Sequence, residues 1–380
     1  MKKSKKKKNI SILVIIILSL MAGIYIMNAT GILKVKKDVD MNDMVKKYEY
    51  VLISSSFPKN KSFMDFYDNK GTNIGEKELP YGAMGFSSYN QNFLEDGNFV
   101  YASKSNDKND DKFEIIKIDK NTLKYSSIET KTSVTVIKVG KEYIYAMGGA
   151  HLQIIDKKTE KSVFYDRLEY NISSSAIDEY NGEPILFRCS DVEGDKHKEK
   201  NTVEVLKFDK NQKKLVNLLD IKDSSDISSS LILDDTLYVL SKLESEESIE
   251  VQKNELIKID LKNKKISRYT LPKKHNNGNY IYKSLLFNNS DKIFILENVF
   301  NGFYSENKKL ISYNIDNNEV KVNNLKEKYN AMFIDKNNLV AFSNEYLCEY
   351  DKETVDVKKE FKLKELNEKN MYFNKFGLKK

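Results

Sequence analysis

The chain has no tryptophan, four prolines, two cysteines and three histidines in 380 residues. Two cysteines cannot build a disulfide framework, and Cys189 and Cys348 do not form a paired redox motif. They fall in different repeats, too far apart for the roughly 7 Å that a disulfide allows, and both are expected as small buried hydrophobes. His151, His197 and His275 lie in turn-like sequence, where surface imidazoles are expected rather than metal ligands or general bases. No glycine-rich phosphate loop and no serine nucleophile elbow occurs. Asp107 to Asp111 resembles the start of a calcium loop, but Lys112 and Ile118 stand where that loop needs Gly and Glu. The sequence therefore offers no catalytic constellation, no metal site and no cofactor site.

Charge is unevenly spread. Formal net charge is +7, yet six lysines within the first eight residues account for most of it, leaving about +1 for residues 9–380. A near-neutral remainder has no broad field for phosphates, which argues against nucleic-acid binding. Behind the lysines runs an apolar stretch from Ile10 to Met27. As a helix it would span roughly 27 Å, close to the bilayer's hydrocarbon thickness. The expected organisation is a cytoplasmic basic tail over 1–9 and a transmembrane signal anchor over 10–33. A charged stalk over 34–47 and an ectodomain over 48–380 follow. The lysine cluster orients the ectodomain outward, at the surface of a Gram-positive cell. A cleaved signal peptide, giving a secreted protein, is the competing reading.

What the chain has in abundance is repetition. Seven times an apolar or aromatic residue precedes an Asp or Asn turn: Asp68, Asp119, Asp156, Asp209, Asp260, Asn314 and Asp351. Their spacings of 51, 37, 53, 51, 54 and 37 residues bracket the roughly 40–50 residues of propeller blades. In six units an apolar residue returns six positions after the turn, as at Ile74, Tyr125 and Leu215. Upstream of each turn lies a compact apolar strand, such as Leu237 to Leu240. Earlier still comes another, expected at Ala83–Phe86, Val134–Ile137, Ser175–Ile177, Leu231–Leu233, Leu285–Phe287 and Ala331–Ile334. Each unit is thus four strands, A to D, with the Asp or Asn closing the C–D turn as an Asx turn.

The first unit lacks strand A, and the C-terminus has a surplus strand at Met371 to Phe376. Lending the last strand to the first unit closes a ring and removes open edges. The fold expected is all-β: a seven-bladed β-propeller closed by its C-terminal strand and preceded by an N-terminal transmembrane helix, with six or eight blades as alternatives. The repeats resemble those of bacterial secreted seven-bladed propellers of the broad quinoprotein and lactonase-like type over residues 48–378. The likeness is one of architecture. WD40 repeats do not fit a chain without tryptophan, and kelch glycine pairs are missing.

Longer units insert residues between strands B and C: Ser105–Asp111, Glu193–Thr202, Glu244–Asn254 and Val299–Lys308. These insertions share one face, and the last carries Phe300, Phe303 and Tyr304, candidate anchors for a protein or glycan partner. An extended hairpin packing its own rings is the structural alternative. Arg167 and Arg268 are expected on D strands and Arg188 on a B strand, so the arginine triad of a propeller sialidase is not expected. The functional expectation is a membrane-anchored, non-catalytic binding or scaffolding module. The alternatives are a secreted hydrolase or lyase acting on sugars or lactones in the central channel, and a sensory ectodomain.

Overall fold

The computed structural model describes residues 41–56, 61–81, 93–104, 112–168, 172–173, 175–189, 201–244, 251–272, 280–286, 291–301, 304–305, 307–329, 331–335, 338–343, 345–363 and 375–379. Two compact units divide the chain, 1–40 and 41–380, and every described residue belongs to the second. Among the described residues no helix is long and apolar enough to cross a membrane. The expected anchor at 10–33 lies outside the described residues.

The second unit is a seven-bladed β-propeller. Seven antiparallel sheets follow one another along the chain, and six take strands A to D in sequence order. Blade 2 uses Phe93–Asp96, Phe99–Ser103, Phe113–Asp119 and Tyr125–Thr130. Blade 3 uses Val136–Val139, Tyr143–Gly148, His151–Asp156 and Ser162–Tyr165. Blade 4 uses Asp178–Tyr180, Glu183–Cys189, Thr202–Asp209 and Lys214–Lys222. Blade 5 uses Asp226–Leu233, Thr236–Glu244, Val251–Asp260 and Lys265–Thr270. Blade 6 uses Tyr280–Leu286, Lys292–Asn301, Asn307–Asn314 and Val320–Tyr329, with Tyr304–Ser305 added against its B strand. Blade 7 uses Ala331–Asp335, Asn338–Phe342, Tyr346–Asp351 and Val357–Lys362.

Blade 1 is composite. Its B, C and D strands are Tyr50–Ser56, Lys61–Tyr67 and Asn73–Leu79, and its A strand is Lys375–Lys379 from the other end of the chain. Tyr50 to Ser54 pair antiparallel with Lys379 to Lys375. The closing strand expected from the sequence is therefore present, four residues later than its expected start; Met371 to Asn374 lie outside the described residues.

Burial shows why the strands read as unbroken apolar runs. Alternate side chains of a strand point to opposite faces, and here both faces are covered. Val51 and Ile53 pack against Val100 and Ile118 of blade 2, whereas Tyr50 and Leu52 pack against Val340 and Phe342 of blade 7. The same division recurs around the ring, giving seven apolar clusters, one for each pair of neighbouring blades. The seventh joins blade 7 to blade 1, where the Tyr50 hydroxyl also donates to buried Glu349 Oε1 at 2.5 Å.

The A strands differ most from expectation. They begin at Val136, Asp178, Asp226 and Tyr280, offset by two to five residues from the starts expected for blades 3 to 6. In blade 2 the A strand is Phe93–Asp96, and Ala83–Phe86 lie outside the described residues. Residues 41–47, the end of the expected stalk, form helix α1 (Met41–Lys47), with Met44 and Val45 packed on the blade 1–2 cluster. Met41, Met44 and Val45 are an i, i+3, i+4 stripe, too short to stand out in the sequence.

All seven turn residues do what their chemistry predicts. In each, one side-chain oxygen accepts backbone N–H groups just ahead of it: Asp68 from Lys70 and Thr72, Asp119 from Asn121 and Thr122, Asp156 from Lys158 and Thr159. Asp209 accepts from Asn211 and Gln212, Asp260 from Asn263, Asn314 from Asp316 and Asn317, and Asp351 from Glu353 and Thr354. Six turns then place a non-glycine residue in the left-handed region four positions on, from Leu123 to Val355; in blade 1 Gly71 takes that conformation three positions on.

Two outcomes follow from this architecture. Deleting residues 371–380 removes strand A of blade 1, so the protein should lose its cooperative melt or aggregate, read by light scattering during thermal unfolding. The second concerns acid. Lys358, 2.7 Å from its Oδ2, and the Thr354 and Glu353 N–H groups hold the Asp351 carboxyl down at about 2; Asp68, Asp156 and Asp260 are lowered chiefly by backbone N–H donors. A depressed carboxylate contributes stability that is complete above its unfolded value of about 4 and disappears as pH falls toward the folded value. Melting temperature should therefore be insensitive to these groups above about pH 4 and fall between about pH 4 and 2. Asp351→Asn should keep the turn, as Asn314 does, and flatten that acid limb; an unchanged limb would exclude Asp351 from it.

Candidate functional site

In each antiparallel blade the A–B and C–D connections leave one face and the B–C and D–A connections leave the other. A strands of neighbouring blades meet each other, as in blades 2–3, 4–5, 5–6 and 7–1, so the A edges surround the axis. The C–D face repeats one turn in all seven blades, with a side-chain oxygen of the turn residue held each time by its own backbone.

The B–C face is not uniform. Two residues separate strand B from strand C in blade 3, against twelve in blade 4. The short connection needs its glycines: a Cβ on Gly148 would stand 1.7 Å from the Ser133 carbonyl oxygen, and Gly149 has φ +59°. All four expected insertions lie at B–C connections, in blades 2, 4, 5 and 6, but in blades 5 and 6 the strands extend into them, so that Val251–Asn254 belong to strand C and Val299–Asn301 to strand B. Most of their residues, with Asp107 to Asp111, His197 and His275, lie outside the described set.

In blade 6 the insertion is a hairpin that prolongs the sheet. Phe300 pairs with Ser305 and Asn301 with Tyr304. Phe300 and Tyr304 thus lie on its two strands, and Phe303 lies outside the described residues.

At the roots of three insertions sits a feature that sequence reading missed. Glu114, Glu204 and Glu255 each stand five residues before their turn aspartate, the first two near the start of strand C and Glu255 midway along it. Each carboxylate is largely withdrawn from water and meets a cation from an adjoining strand. Lys104, itself buried, lies 3.2 Å from Glu114; Arg188 Nε donates to Glu204; Arg268 Nη1 donates to Glu255 at 2.6 Å. Asn217 also donates to Glu204, and Lys253 is 2.7 Å from the other Glu255 oxygen. The signal available was a Glu recurring at a fixed offset from the turn, on strands otherwise too apolar to expect one.

The remaining candidates separate rather than converge. Arg188 is on strand B of blade 4 and Arg268 on strand D of blade 5, as expected. Arg167 lies beyond strand D of blade 3, in the D–A connection at φ +51°, because the strand stops at Tyr165. His151 opens strand C of blade 3, stacked on Phe164 and 2.9 Å from Asp166 Oδ1. Both thiols are unbridged. Burial raises the Cys348 thiol to about 11, as a core residue; Cys189 is only half-buried, its Sγ 3.7 Å from Asp226 Oδ1.

Near the axis the described A strands of blades 3 and 5 are apolar or serine-rich in part, as at Val136–Ile137 and Ser228–Ser230, whereas that of blade 4 is Asp178–Tyr180 with two carboxylates. Lys138 Nζ contacts Asp178 Oδ1 at 2.6 Å, and Asp178 is 1% exposed. Among the described residues no three His, Cys, Asp or Glu side chains gather as a metal-binding group.

No protein-family model matches this chain, and no curated protein matches it in sequence. Solved structures do match in architecture. A proposed 6-phosphogluconolactonase from Bacteroides uniformis aligns with a TM-score of 0.53 at 10% identity, over 83% of this chain and 98% of that one. Apo AztD from Citrobacter koseri aligns with a TM-score of 0.46 at 12% identity, over 86% and 98%. The extracellular domain of a proposed hybrid two-component system from B. thetaiotaomicron aligns at 0.49 and 13%, over 75% of this chain and 35% of that one. At these identities the likeness is one of fold alone.

Proposed function

We propose that this protein is a membrane-tethered, extracytoplasmic propeller whose B–C face captures a protein or glycan partner without chemistry of its own. The anchor is the apolar stretch within residues 10–33, oriented by the lysines before it. The reading is carried by the difference between the two faces. On the C–D face seven turns repeat one hydrogen-bonded device. On the B–C face connections range from two residues to twelve and four blades carry insertions. Variable loops on a rigid frame are the usual seat of binding. The blade 6 hairpin, with Phe300, Phe303 and Tyr304, is the contact element, since aromatic side chains supply large contact area at low entropic cost.

The hydrolase alternative needs acidic, His or Arg groups converging in the channel. Among the described A strands blade 4 holds Asp178 and Glu179, with Lys138 2.6 Å from Asp178, but none of these strands carries a His or Arg to join them. The binding reading is therefore preferred.

Replacing Phe300, Phe303 and Tyr304 together with Ser should reduce partner capture at least tenfold, corresponding to about 1.4 kcal/mol or more, with the melting temperature kept near that of the parent. The measurement is crosslinking on intact cells with mass-spectrometric identification, parent against variant. Undiminished capture by a folded variant would remove the hairpin from the interface.

A further inference from the structure

We infer that the C–D-turn face of the propeller rests on an anionic lipid surface, leaving the B–C face directed away from it. The inference builds on the membrane tether proposed above and adds which face meets the lipid and by what chemistry.

The chain enters the propeller on the C–D side. Tyr48 follows helix α1, and its hydroxyl donates to the Lys120 carbonyl in the C–D turn of blade 2 at 2.8 Å. The Glu49 N–H donates to the carbonyl of Tyr67, the last residue of strand C in blade 1. Helix α1 is thereby pinned beside the C–D turns of blades 1 and 2. Lys46 and Lys47 form its last turn, both exposed.

The rim that continues from this point is basic. The C–D turns of blades 2 to 5 read Lys-Asn-Thr-Leu-Lys, Lys-Lys-Thr-Glu-Lys, Lys-Asn-Gln-Lys and Leu-Lys-Asn-Lys. Lys124, Lys158, Lys161, Lys213 and Lys264 are among the exposed residues there. The one carboxylate within these four loops is Glu160, and it is engaged by Lys117 Nζ at 3.1 Å. The aspartates that open the turns accept backbone N–H groups and count against the lysines in the charge of the rim. Other exposed carboxylates on this face are Glu95 beside the A–B turn of blade 2, where it meets Lys120 at 2.9 Å, Glu142 in the A–B turn of blade 3, Asp234 and Asp235 in that of blade 5, and Asp316, Glu319, Glu353 and Asp356 in the C–D turns of blades 6 and 7.

An arc of C–D turns in which lysines outnumber carboxylates by nine to five, spanning four of seven blades, is therefore set on the rim beside the chain's entry point. Exposed lysines held near a membrane are drawn to anionic headgroups over about a Debye length, and salt screens the attraction. The acidic sector of blades 6 and 7 would tilt away, so contact is made along the basic arc.

The test uses the full chain with Cys189→Ser, reconstituted in vesicles of phosphatidylcholine alone or with added phosphatidylglycerol. Reporter cysteines are Lys264→Cys on the basic arc and Lys131→Cys in a D–A connection on the opposite face. Labelling by a membrane-impermeant maleimide should slow about fivefold at Lys264→Cys in anionic vesicles and recover at high salt, as screening requires. Lys131→Cys should label equally in both lipids. Adding Lys158→Glu, Lys161→Glu and Lys213→Glu should abolish the lipid dependence without changing the melt. If the chain floats with vesicles but Lys264→Cys labels alike in both lipids, the face assignment is overturned and the tether stands. If the chain floats with neither vesicle, the tether fails and this inference fails with it.

Discussion

Circular closure of seven apolar seams is the constraint on which everything else in this chain rests. Each inner strand is covered on both faces, so no blade can bury its side chains without two neighbours. Val51 and Leu52, adjacent in sequence, serve different seams, and both are essentially without exposure. At about 25 cal/mol per Å2 of apolar surface, a seam of roughly ten large side chains outweighs any single ion pair on the rim. The seam between blades 7 and 1 is special because two distant ends of the chain must meet to make it. The Tyr50–Glu349 hydrogen bond lies inside it, and both burial and that carboxylate push the Tyr50 hydroxyl well above the ordinary phenol range.

The C–D turns show how local strain is tolerated for the sake of packing. A non-glycine residue in the left-handed region costs roughly 1–2 kcal/mol. Leu123 and Val355 accept that cost although a glycine would avoid it. Leu123 is 1% exposed in the blade 1–2 seam, and Val355 packs against the blade 6–7 seam. Fully burying a Leu or Val side chain is worth about 1.5–3 kcal/mol, enough to offset the backbone term. Lys213 and Lys264 occupy equivalent positions exposed to water, where no such compensation operates.

These features were unequally legible in the sequence. The turn residues stood out because one side-chain oxygen caps two N–H groups only at a fixed offset, and that offset recurred seven times. B strands were legible because burial on both faces leaves an unbroken apolar run. Strand A of blade 4 is only three residues, Asp178–Tyr180, with charge in it, so its position was misjudged; little periodicity survives in so short a segment. Glu114, Glu204 and Glu255 were invisible as site residues because a glutamate in a strand reads as exposed until its cation is known. That cation comes from a neighbouring strand and cannot be paired by local spacing. Of the candidate anchors, the sequence identified a hairpin in blade 6, and the pairing of Phe300 with Ser305 agrees with that part of the reading.

The buried charge pairs bear on how the variable face is organised. They occur in blades 2, 4 and 5, all of which carry B–C insertions; in blades 2 and 4 the pair fastens strand C just where the insertion rejoins the sheet, and in blade 5 it sits four residues further in. In blades 1, 3 and 7, whose B–C connections are four residues or fewer, the corresponding positions are Phe63, His151 and Tyr346. A buried pair adds little net stability over a well-packed apolar contact, because desolvation nearly cancels the attraction. It does penalise any register in which one partner loses the other. Arg188 and Glu204 are direct cross-strand partners, so a slip of one residue would strand a carboxylate among Val203, Val205 and Leu206. Glu255 is similarly held from two sides, by Arg268 and Lys253. Long insertions pull on the ends of the strands that carry them, and a charge pair at the root resists a slip of register. The same residues that look misplaced in an apolar sheet thus keep the roots of the variable loops in one place.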